Sequence, residues 1–133
     1  MCIGPWHAYD FFRELAVATG CPVALDVGHL LSYQWLRGRR GEALFEELDR
    51  LPLEHCFEAH LSGCEVRDTR FFDLHHGVLM PEQLEMLRRL LPRCPHLRAI
   101  TYEDPRIEEG GALASSNAPS LQLLQKEAQA WRS

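Results

Sequence analysis

The apolar positions of this chain change period several times, and the changes cut it into short alternating elements. Between residues 7 and 19, Phe11, Phe12, Leu15, Val17 and Ala18 make an apolar stripe that predicts a helix, with Gly20 as its stop. Pro22 introduces Val23-Ala24-Leu25-Asp26-Val27, a nearly continuous apolar run that suits a strand covered on both faces. Gly28-His29 reads as a turn, followed by a short helix over 30–36 and a loop over 37–41. Leu44, Phe45, Leu48 and Leu51 share one face of a helix over 42–51, which Pro52 ends. A second strand runs from Cys56 to Leu61, and residues 62–79 read as one long loop of the functional kind. Pro81 fits the first turn of a helix whose apolar face is Leu84, Leu87, Leu90 and Leu91. The third strand covers about Leu97 to Glu103, and Asp104-Pro105 breaks it. Residues 106–118 form a second irregular loop, and Pro119-Ser120 opens a last helix with Leu121, Leu124, Ala128 and Trp131 on one face.

The order is a helix followed by strand–helix three times. The strand starts at Val23, Cys56 and Leu97 lie 33 and 41 residues apart, the size of a βαβ unit. Such alternation predicts an α/β fold with a parallel sheet and outer helices. Three strands cannot close an eight-stranded barrel of about 250 residues, so the expectation is a small open sheet or part of a barrel. A helix directly after Met1 favours a fragment or split subunit, with residues 1–133 as one domain.

All three strands end in acid or imidazole. Asp26 closes the first, with His29 three residues on; Glu58 and His60 alternate onto one face of the second; Glu103 closes the third. Phe72-Asp73-Leu74-His75-His76-Gly77 adds an acid and two imidazoles within four residues. A single strand histidine is more often a hydrogen-bonded core residue, and a strand-ending aspartate is often a helix cap. Three successive strands with the same ending point instead to a metal site at the carboxyl edge of the sheet. The candidate ligands are Asp26, His29, His60, Asp73, His75 and Glu103. Imidazole with carboxylate, without a thiolate cluster, suits iron, manganese or zinc with open positions. Six ligands exceed the need of one ion and suggest two or more. Glu58, costly to bury alone, is expected to support a ligand. His7, His55 and His96 lie away from the strand ends and are read as surface residues.

Composition narrows the classes. Hydrophobic residues at 46% and charged residues at 25% describe an ordinary soluble domain. The formal charge of −5 argues against a nucleic-acid footprint, and Arg37-Gly38-Arg39-Arg40 reads as a solvated loop. No apolar run approaches the ~20 residues of a membrane span, and Met1 to Trp6 lacks the basic and apolar regions of a signal peptide. The expected location is the cytoplasm. Five cysteines without a CxxC weaken both a disulfide framework and a thiolate zinc site. Cys21 and Cys94 are expected to be buried, whereas Cys64 lies just past His60.

Leu25-Asp26-Val27-Gly28-His29, Glu58-Ala59-His60-Leu61-Ser62-Gly63, Asp73-Leu74-His75 and Thr101-Tyr102-Glu103-Asp104 together resemble the multinuclear non-haem iron-dependent oxidative enzymes. These are xylose-isomerase-like TIM barrels, and the resemblance covers about residues 8–130, corresponding to the last three βα units. It implies two or three irons, with Asp26, His60, Asp73, His75 and Glu103 as ligands and His29 replacing a usual asparagine. It further implies oxygen-dependent modification of cysteine in a ribosomally made peptide, often with a peptide-binding partner protein. The N-terminal part of the barrel would come from another chain, or copies of this chain would associate. The sequence departs from the family pattern at Cys64, where a histidine is common, and at Asp104, where an arginine is usual. Two other readings share the pattern. One is a metal-dependent isomerase or hydrolase using zinc or manganese as a Lewis acid. The other is a non-catalytic module that completes another chain's barrel.

Overall fold

The computed structural model describes residues 4–104, 106 and 118–132. The elements are α1 (Ala8–Thr19), β1 (Val23–Asp26), α2 (Val27–Leu36), β2 (Cys56–Ser62), β3 (Cys64–Arg67), β4 (Arg70–Asp73), α3 (Pro81–Leu90), β5 (Ala99–Glu103) and α4 (Ala118–Arg132). The break at Pro105 and nearly all of the loop expected over 106–118 lie outside the described residues.

Strands β1, β2 and β5 form a parallel sheet in the order β1-β2-β5, as the alternation predicts. Residues paired across parallel strands point to the same side, so the register sorts the side chains into two faces. Leu25, Ala59 and Leu61 belong to one face and are buried in the core with Leu31 of α2 and Met86 and Leu87 of α3. Opposite them, Asp26 is level with His60, His60 with Thr101, and Ser62 with Glu103. The polar positions of three strands thus fall on one face, at the carboxyl end. The apolar run of β1 predicts cover on both faces, yet Ala24 and Ala99 are exposed, so among the described residues the polar face is open at its amino end. The outer strands β1 and β5 each keep an edge that no described strand pairs.

Several elements differ from the sequence reading for identifiable reasons. Helix α2 begins at Val27 rather than Leu30, because the Asp26 side chain caps it and accepts the His29 N–H at 2.9 Å. The helix expected over 42–51 is replaced by two 3₁₀ turns, Gly41–Phe45 and Leu48–Arg50. Glu47 sits between them at φ 63, a left-handed conformation that no α-helix accommodates. The long loop over 62–79 contains the antiparallel hairpin β3–β4, whose turn places Asp68 and Thr69 at φ 45 and 68. Helix α1 buries Ala8, Tyr9 and Ala16, while Phe12, Leu15 and Val17 of the expected stripe are exposed. Cys94 is buried as expected, but Cys21 is exposed.

His7 is not a surface residue. Its Nδ1 accepts the Tyr9 N–H to cap α1, and its Nε2 lies 3.3 Å from Glu47 and 2.9 Å from Arg37. Glu47 also takes Arg50 at 3.0 Å and an ion pair with Arg37, so one carboxylate ties α1 to the end of α2 and the 3₁₀ segment. The Arg37 hydrogen bond, helped by His7, holds its carboxyl well below the ordinary glutamate value of 4.5, at about 2. His55 is half-buried and His96 is exposed, stacked on Phe57.

Candidate metal centre

The six candidate residues converge. Asp26 ends β1, His29 lies in the first turn of α2, His60 stands two residues before the end of β2, Asp73 ends β4, and Glu103 ends β5. The hairpin is what brings Asp73 in: Cys64 at its root pairs with Asp73, directly past the end of β2. His75 follows with φ 53, a conformation disfavoured for a side-chain-bearing residue, which turns its ring back toward Glu103.

Acid and imidazole alternate through the cluster. Asp26 lies 3.6 Å from His29, His29 lies 3.1 Å from Asp73, and Asp73 lies 3.9 Å from His75. His75 is 3.5 Å from Glu103, Glu103 is 2.7 Å from His60, and His60 is 3.1 Å from Glu58. One donor atom each from His29, Asp73 and His75 fits within 4.8 Å of the others. The His29 and His75 side chains are 62% and 52% exposed and Asp73 only 12%, so a buried carboxylate faces two solvent-accessible imidazoles.

Among the described residues four buried side-chain atoms have no hydrogen-bond partner, and two of them, His60 Nε2 and Asp73 Oδ2, lie in this cluster. His60 Nδ1 is engaged by Glu103, and a proton on that nitrogen satisfies both groups while leaving the Nε2 lone pair free. His60 Nε2 is near Glu58 in distance but not in hydrogen-bond alignment. Asp73 Oδ1 accepts from the Ser62 hydroxyl at 3.1 Å and the Cys64 thiol at 3.8 Å, which leaves Oδ2 toward the two histidines. Unsatisfied buried donors or acceptors cost free energy unless something else meets them, and a cation bound by imidazole and carboxylate would do so. The donor set therefore fits a metal ion.

Surrounding groups tune these residues. Thr101 donates to Glu58 and, with His60, holds its carboxyl below the ordinary value, so Glu58 stays ionised beside the imidazole. Burial and the charges of Asp73 and Asp26 push the Cys64 thiol up, which keeps it protonated. A Cβ on Gly28 would lie 3.0 Å from Cys64 Sγ, 3.2 Å from Asp26 Oδ1 and 3.3 Å from the Asp73 carboxyl carbon. A cavity of about 430 Å³ opens beside Asp26 and His29, lined by Tyr9, Phe12, Leu25, Tyr33 and Leu36. Sequence reasoning did not single out Ser62. Its only signal was its place between His60 and Gly63. Among the described residues no helix is long and apolar enough to cross a membrane.

A family model described as "RiPP precursor modification enzyme MbnB/TglH/ChrH" matches residues 5–129. No curated protein matches the chain.

Proposed function

The chain belongs to that family of peptide-modifying enzymes, and on this premise we propose that its rim of imidazoles and carboxylates holds two or more irons for the oxygen-dependent modification of a peptide cysteine. His29, Asp73 and His75 would hold one ion and His60, through Nε2, a neighbouring one, with Glu103 beside both His60 Nδ1 and His75. Asp26 supports the His29 end. Iron(II) held by these residues would supply the redox chemistry for oxygen and a substrate thiolate. The chain's own residues do the positioning. Glu103, 2.7 Å from His60 Nδ1, would keep the ring proton on that nitrogen and leave Nε2 for an ion. Ser62 and Cys64 occupy one oxygen of Asp73 and leave the other for binding. The apolar cavity beside Asp26 and His29 receives a nonpolar side chain of the peptide and keeps water from that end of the site. We further propose that these elements are three βα units of a TIM barrel, completed by a further half-barrel or by copies of this chain.

The observation that carries the reading is the pair of unsatisfied buried atoms, His60 Nε2 and Asp73 Oδ2, within one cluster of alternating acids and imidazoles. The test is iron per chain after anaerobic reconstitution, with circular dichroism to follow folding. His60→Ala and His75→Ala are expected to lose most of the iron and keep the fold, while His96→Ala holds as much as the parent. Variants at His60 and His75 that retain the parent's iron would remove the chemical basis of the proposal.

A further inference from the structure

Three fully or largely buried polar side chains run in series from α3 to the cluster. Gln83 and Ser62 are completely buried. Gln83 Oε1 accepts the Met80 N–H at 2.9 Å, which anchors the amide at the start of α3. Its Nε2 donates to the Ser62 carbonyl at 2.7 Å. The Ser62 hydroxyl then donates to Asp73 Oδ1 at 3.1 Å. Each link uses the group the next one needs: the Gln83 amide fixes the Ser62 peptide, and the hydroxyl fixes which carboxylate oxygen remains open. Gly63 fixes the following peptide as well, because a Cβ there would sit 2.0 Å from the His76 carbonyl oxygen. The loop carrying His75 is pressed against that glycine, and the Leu74 N–H donates to the Gly63 carbonyl at 3.0 Å.

We infer that Gln83 and Ser62 are positioning residues that orient Asp73 for metal binding, acting through a buried relay from α3. This inference rests on the proposed metal-binding role of the cluster. Neither residue offers its own atoms to an ion: Ser62 spends its hydroxyl on Asp73, and Gln83 spends both ends of its amide on backbone. Outer partners of metal ligands typically contribute about 10–100-fold in affinity. Core packing alone would give a different signature, lowering thermal stability without changing affinity in the folded chain.

The experiment measures iron(II) affinity anaerobically by competition with a chromogenic chelator, with cobalt(II) absorption reporting ligand geometry. Circular dichroism follows folding. Ser62→Ala is expected to bind about 10–100-fold more weakly and to shift the cobalt spectrum while remaining folded. Ser62→Thr, which keeps the hydroxyl, restores the parent's affinity. Gln83→Glu keeps the acceptor for Met80 but removes the donor to Ser62, and it also weakens binding. Parent-like affinity and spectrum in both Ser62→Ala and Gln83→Glu would overturn the positioning role and leave the metal site standing. A parent chain that binds neither iron(II) nor cobalt(II) would overturn the site itself and this role with it.

Discussion

At the scale of single residues, the two close-packed glycines separate folding from binding. The backbone of His76 and Gly77 fills the space a Gly63 side chain would need, at 2.0–2.7 Å. Backbone cannot swing aside as a flexible side chain can, so Gly63→Ala is expected to cost about 1–3 kcal/mol in urea denaturation. Gly28 meets mainly side-chain atoms at 3.0–3.3 Å, and these can yield by tenths of an ångström. Gly28→Ala should leave the unfolding midpoint nearly unchanged while weakening iron(II) binding, because the atoms that yield belong to Asp26, Cys64 and Asp73. The candidate acids and imidazoles were legible in the sequence because each stands at or just past a strand end. Ser62 and Gln83 were not, since a serine and a glutamine carry no pattern until their partners are seen. His7 was misread for the same reason: its neighbours Tyr9, Glu47 and Arg37 come from three separate segments.

At the scale of elements, period alone identified the three parallel strands and most helices but failed where backbone conformation decides. Leu44, Phe45, Leu48 and Leu51 have helical spacing, yet Glu47 at φ 63 splits the segment into 3₁₀ turns. Sequence reading missed the hairpin β3–β4 because its two-residue turn is Asp68-Thr69 rather than a glycine-bearing pair. Thr69, β-branched at φ 68, occupies a conformation that costs a side-chain-bearing residue about 1–2 kcal/mol. Thr69→Gly is expected to recover roughly 1 kcal/mol of that, after its own loss of chain entropy, as a raised urea midpoint. The Trp35 indole should be unaffected, since it donates to the Thr69 backbone carbonyl rather than to its side chain. A lowered midpoint would mean the turn is shaped by its side chain.

At the scale of the molecule, acid sensitivity should trace to the carboxylate that ties three segments together. Glu47 titrates near 2 in the folded chain and near 4.5 when unfolded, so its contribution is present above pH 4.5 and lost as pH falls toward 2. Thermal midpoints measured across that window should decline, and Glu47→Gln should lower the neutral-pH midpoint while flattening the decline. An unchanged slope in Glu47→Gln would assign the acid sensitivity to other groups, such as Asp10 with Arg50.

The edges of β1 and β5 that no described strand pairs make mass action a term in the stability of this chain. Every backbone group on those edges satisfied by another polypeptide favours the folded form in proportion to how much of that polypeptide is present. The apolar cavity beside β1 adds nonpolar surface to the same balance. The melting temperature should therefore climb with protein concentration, while light scattering reports species larger than one chain. Dilution becomes a denaturant for such a protein, and a melting temperature has meaning only beside the concentration at which it was taken.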